Sequence, residues 1–134
     1  MSYALTVTVD QPFENALEAA RAALSEQGFG ILTEIDLAAT LKAKLDEDIA
    51  PQVILGACRP PLAYAAIQAE PSIGLLLPCN VVVRSLEDGK TLVEAMDPAV
   101  MVTLTGNQSL ADVAADARAR LSTALTSLAA TATA

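Results

Sequence analysis

Ile73-Gly74-Leu75-Leu76-Leu77-Pro78-Cys79-Asn80-Val81-Val82-Val83-Arg84, followed through Ser85-Leu86 by Glu87-Asp88-Gly89-Lys90 and then Thr91-Leu92-Val93-Glu94-Ala95-Met96, is the stretch that decides the fold. Its first run is apolar and β-branched. Its last run alternates apolar and polar residues, and an Asp-Gly pair stands between the two. That combination predicts a strand over 73–84, a hairpin turn at 87–90 and a returning strand over 91–96. A hairpin makes two neighbouring strands antiparallel, which argues against a purely parallel α/β sheet.

Upstream, Val53-Ile54-Leu55 reads as a short strand leading to Cys58. Pro60 and Pro61 suit the first positions of a helix, which runs to about Glu70 and is stopped by Pro71. Nearer the N-terminus, Tyr3, Leu5 and Thr6 to Val9 alternate as a strand does. Asp10 is a candidate cap, with Pro12 and Glu14 in the first turn of a helix over about 11–27. Phe13, Leu17, Ala20 and Leu24 form its apolar stripe, and Gly28 stops it. Phe29 to Ile35 reads as the next strand. Asp36 then caps a helix in which Leu37, Leu41 and Leu45 recur and Lys42 and Lys44 suit the C-terminal end. Asp46-Glu47-Asp48 and Pro51 mark a loop. The acidic run lacks a cation-loop pattern and reads as a solvated turn.

Downstream, Ser109 with Asp112 is a loose capping pattern. Leu110, Val113, Ala114, Ala117, Leu121 and Leu125 make the stripe of a long last helix, with a frayed tail over 126–134. The order βαβαβαββα, with no repeat or linker, predicts one compact α+β domain over 1–134 with a mainly antiparallel sheet.

Composition narrows the function. Hydrophobic residues make up 53% and aromatics only 3%, so Ala, Leu, Val and Ile must build the core, and stacking platforms for bases are nearly absent. The net charge of −8 repels phosphate backbones and anionic membranes, so neither nucleic acid nor a membrane is an expected partner. The start Met1-Ser2-Tyr3-Ala4-Leu5-Thr6 has no basic region, and the expected location is the cytoplasm, where thiols stay reduced.

The chain has no histidine. Triads and Cys-His pairs are therefore excluded, and two cysteines 21 positions apart do not make a zinc site. No dinucleotide or phosphate loop is present, because Gly28-Phe29-Gly30 precedes a strand instead of following one. No metal is expected, no cofactor is indicated, and the balance leans away from an enzyme. The candidate residues are Cys58, Arg59, Tyr64, Cys79 and Asn80. Cys58 lies before a helix start whose positive pole, with Arg59 beside it, favours a thiolate. Tyr64 lies about one turn into that helix and could bring a hydroxyl near Cys58. Cys79, within an apolar run, reads first as a small buried hydrophobe. Asn80 either bonds backbone at a strand irregularity or lines a cavity. Glu94 and Asp97 read as surface carboxylates.

Gly28-Phe29-Gly30, Thr33-Glu34-Ile35-Asp36, Leu55-Gly56-Ala57-Cys58 with Pro60, Leu76-Leu77-Pro78-Cys79-Asn80-Val81-Val82-Val83 and Asp97-Pro98, taken in order, resemble the domain of unknown function 302 family. The resemblance covers about residues 3–125. It implies a TATA-binding-protein-like α+β fold and a homodimer, nominates Cys58 and Cys79, and brings no established mechanism. The chain departs from the pattern at Gln52, where an aromatic is usual, at Arg59, where Asn is common, and at Tyr64, where a His often stands. Three functions follow in order of preference: a module binding a small hydrophobic or thiol-reactive ligand near the two cysteine motifs, a thiol-dependent redox or sulfur-transfer protein, and a structural protein-interaction domain presenting the Ala-rich last helix.

Overall fold

The hairpin lies inside a five-stranded antiparallel sheet. The computed structural model describes residues 2–132, with side chains to residue 129. Its strands are β1 (Ala4–Val9), β2 (Gly30–Asp36), β3 (Gln52–Cys58), β4 (Cys79–Ser85) and β5 (Thr91–Met96), in the spatial order β1-β5-β4-β3-β2. Every neighbouring pair is antiparallel, as the hairpin required. The helices are α1 (Phe13–Glu26), α2 (Leu37–Leu45), α3 (Pro60–Ala69), α4 (Ala99–Thr105) and α5 (Ala111–Ala132).

Side-chain alternation divides the sheet into two unlike faces. Val53, Leu55 and Ala57 of β3, Val81 and Val83 of β4, and Val93 and Ala95 of β5 point to one face and are buried. There they meet the stripes of α1 (Ala16, Leu17, Ala20, Leu24) and α5 (Leu121, Ala124, Leu125, Leu128). The Ala-rich stripe of the last helix thus packs on the protein's own sheet. The alternate residues of β3 and β4, Ile54 and Val82, are only half-buried. A second, smaller core gathers Ala66 of α3, Ile73, Met101 of α4, and Leu110 and Ala114 around the start of α5.

Several boundaries differ from the sequence reading. Residues 73–78 are not strand: Pro71–Leu76 is a 3-10 helix, the Leu77–Pro78 peptide is cis, and β4 starts at Cys79. An apolar run shows burial, but its period does not separate a strand from a tight helix buried in a second core. The cap of α1 is Pro12, not Asp10, and no side chain bonds its first amides. Asp36 does cap α2, accepting from the Ala39 amide at 2.9 Å. Even so, α2 fully buries none of its residues. The helix α4 was missed. Asp97 accepts the Ala99 amide at 3.0 Å at its start, and Gly106 ends it. Asn107, not Ser109, caps the turn into α5, accepting from the Ser109 amide at 2.9 Å. The last helix runs past 126, where the sequence reading places a frayed tail. It continues to Ala132 with Leu128 in the core, while residues 133–134 lie outside the described residues. No helix among the described residues is long and apolar enough to cross a membrane.

The register of β2 on β3 hinges on one missing side chain. Thr33 lies directly opposite Gly56, after a bulge at Leu32. A Cβ on Gly56 would collide with Thr33 Oγ1 and stand 2.9 Å from Pro78 Cγ. Neither neighbour is the end of a flexible side chain. Gly56→Ala should therefore lower stability by about 1–3 kcal/mol, the usual range for overpacking. Thr33→Ala added to that variant should recover part of the loss and leave the Pro78 share, as read by urea unfolding. Equal stability of wild type and Gly56→Ala would show that the three segments are not in close contact.

Candidate functional site

At the end of the sheet where β3 stops and β4 begins, the two cores leave a seam. A partly open apolar cleft of about 30 Å³ runs into it. Phe29 and Ala57 belong to the large core, and Ala66 and Met101 to the small one; Leu62, Ala63, Leu77, Pro78, Val113 and Ala117 complete the apolar lining. Cys58, Arg59 and Cys79 line it as well.

The strand register brings the cysteines together. Ala57 pairs with Cys79, so Cys58 is one residue past the partner of Cys79, and both cysteines line the cleft. Both are free thiols. Cys79 is 7% exposed and Cys58 half-buried. Burial pushes the Cys79 thiol from its ordinary 9.0 up to about 11, and the nearby Cys58 adds to the rise. Cys79 is therefore a protonated, apolar wall residue at neutral pH, as the sequence suggested.

The first helical positions of α3 offer no unpaired amide. Pro60 and Pro61 carry no N–H, and the amides of Leu62 and Ala63 both donate to the Arg59 carbonyl at 3.0 Å. The positive pole of a helix resides largely in its unpaired first amides, and here none is left over for a thiolate or an anion.

Arg59 itself is unusual. Its side chain lies against Gly28, where an added Cβ would be 3.0 Å from Nε. Gly28 has φ +84, so the left-handed turn after α1 and the space for Arg59 depend on the same residue. Arg59 Nε is buried without a hydrogen-bond partner. An unpartnered buried donor costs about 1–3 kcal/mol, more when charged.

The other two candidates lie elsewhere. Tyr64 is 68% exposed and does not line the cleft, since its place on α3 turns it to solvent. Asn80 is exposed on the half-covered face of the sheet, beside Tyr3, Val82 and Glu94. Glu94 pairs with Arg84 at 3.1 Å, and Asp97 with Arg118 at 3.1 Å. Sequence reasoning missed Met101 because it missed α4. The signal was present: Asp97-Pro98 opens the helix, Gly106 closes it, and apolar residues lie between.

The Cys79 shift has a consequence for stability. In the unfolded chain the thiol ionises near 9, and in the fold only near 11, so between these values the folded state holds the extra proton. Stability from this group is complete below pH 9 and should fall by about 2–3 kcal/mol as pH rises to 11. The difference in unfolding free energy between wild type and Cys79→Ala should shrink across that window. A difference that stays constant from pH 8 to 11 would mean that Cys79 is solvated.

No curated protein matches the chain. Among solved structures, it is similar to an uncharacterized conserved protein, DUF302, from Bacillus stearothermophilus, with 28% identity over 94% of this chain and 98% of that one and a TM-score of 0.87. The family model for the domain of unknown function DUF302 matches residues 5–128. With nearly the whole chain inside that match, and the cysteine motifs meeting at one cleft of the same fold, the chain belongs to the domain of unknown function 302 family.

Proposed function

We propose that this protein is a binding module for a small, mainly apolar molecule held in the cleft between the end of β3 and α3. The observation that carries this reading is the convergence of both cysteine motifs on one apolar, partly open cleft at the seam of the two cores. Concave apolar sites with few polar groups are the usual form of small-molecule sites. An interior of about 30 Å³ encloses about one or two heavy atoms, so it selects a short ligand most of which stays at the mouth.

Ala63 is half-buried at the rim. A titration of labelled protein with 1-butanol, followed on backbone amides, should give saturable shifts at Ala57, Ala63, Cys79 and Ala117. In Ala63→Leu, which fills the mouth, the same shifts should weaken by about tenfold or vanish. Shifts that are scattered over the surface, or indifferent to Ala63→Leu, would sink the reading.

The proximity of the two thiols favours a second reading, a thiol–disulfide role. Cys58, the more accessible thiol, would attack a substrate disulfide and release one substrate thiol. Cys79 would then displace the other, leaving a Cys58–Cys79 disulfide and two reduced substrate thiols. The high pKa of Cys79 weighs against it, because a thiol protonated at neutral pH attacks slowly. Treatment with diamide, which takes up the two electrons and two protons, should under this reading lower the intact mass by two hydrogens and abolish alkylation of both cysteines. A product alkylated at Cys79 after such treatment excludes the disulfide.

A further inference from the structure

The cleft has a charge that no described residue answers. Among the described residues, Arg21 pairs with Glu18 and Glu34, Arg84 with Glu94, Arg118 with Asp97 and Arg120 with Asp116. Arg59 alone among the arginines has no carboxylate and no hydrogen-bond acceptor, in a chain with 16 acidic residues against 8 basic ones. With carboxylates in twofold excess, an unpaired arginine at an apolar cleft is an exception. Its position is also constrained, because the glycine at 28 leaves the space in which it lies.

We propose that the cleft takes a short monocarboxylic acid, whose carboxylate pairs with the Arg59 guanidinium while its alkyl end enters the apolar interior between Ala63, Met101 and Ala117. The proposal rests on the binding-module reading above and names its ligand class. Three features select a carboxylate over a phosphate. A single guanidinium matches one negative charge, and its fork fits the two oxygens of a carboxylate. The proline pair at the start of α3 removes the amides that hold phosphates at helix ends. The net charge of −8 disfavours a dianion. The interior of about 30 Å³ takes about one or two carbons, the end of a short alkyl chain whose remainder lies at the mouth.

The test compares sodium butyrate with 1-butanol and n-butylammonium, each titrated into labelled protein at constant ionic strength. Butyrate should bind at least about tenfold more tightly than 1-butanol, the effect of one charge-assisted pair, and n-butylammonium more weakly than either. In Arg59→Gln the advantage of butyrate over 1-butanol should disappear. The wild-type comparison stands by itself if that variant does not fold. Equal affinity for butyrate and 1-butanol in wild type overturns the carboxylate proposal and leaves the apolar site standing. An advantage of butyrate that persists in Arg59→Gln overturns the assignment to Arg59. Binding of none of the three probes overturns the binding-module reading and this proposal with it.

Discussion

The bare backbone at Gly56 lets Thr33 of β2 and Pro78 ahead of β4 close over the end of β3 from two sides. Much of the functional region depends on that approach. It sets Thr33 against Gly56 in the β2–β3 ladder, while the β3–β4 ladder puts Ala57 opposite Cys79. It also places Pro78 beside the point where Cys58 leaves the sheet. The two cysteine motifs are far apart in sequence but become neighbours because the β3–β4 register leaves no other arrangement. A one-residue slip would exchange the faces of a whole strand.

The cleft follows from the way the protein divides its apolar mass. Most of its large aliphatic side chains go to the interface of the sheet with α1 and α5. The remainder form a smaller cluster around α3, the 3-10 helix, α4 and the start of α5. Asn107 ties this second cluster together, donating from Nδ2 to the Ala69 carbonyl at 2.9 Å and to Glu70 at 3.0 Å. Where two cores abut, packing need not be continuous, and small residues such as Ala57, Ala63, Ala66 and Ala117 leave room at the junction. Buried Thr91 shows the contrasting rule for the main core: its hydroxyl is admitted because it donates to the Gln11 carbonyl at 2.8 Å.

Chemistry at the cleft is restrained more than enabled by its surroundings. Burial keeps Cys79 protonated, and the proline pair takes from α3 the amides that could have stabilised a thiolate at Cys58. What remains is an apolar surface, a half-buried thiol and an unanswered guanidinium.

The sequence by itself determined the antiparallel sheet, the order of strands and most helices, and the residues of the main core. These are local matters: period, a hairpin turn, a cap such as Asp36 and a stop such as Gly28 are each written within a few positions. It also nominated Cys58, Arg59 and Cys79, which do meet at the cleft. Only the tertiary structure decided that Tyr64 and Asn80 lie away from it, because the side of α3 that faces inward depends on what packs there. The same limit hid the 3-10 helix at 71–76, whose apolar run reads equally well as strand, and the pairing of Gly28 with Arg59. Which charges find partners is likewise a matter of long-range placement. That Arg59 alone among the arginines finds none could be seen only once every other element was in position.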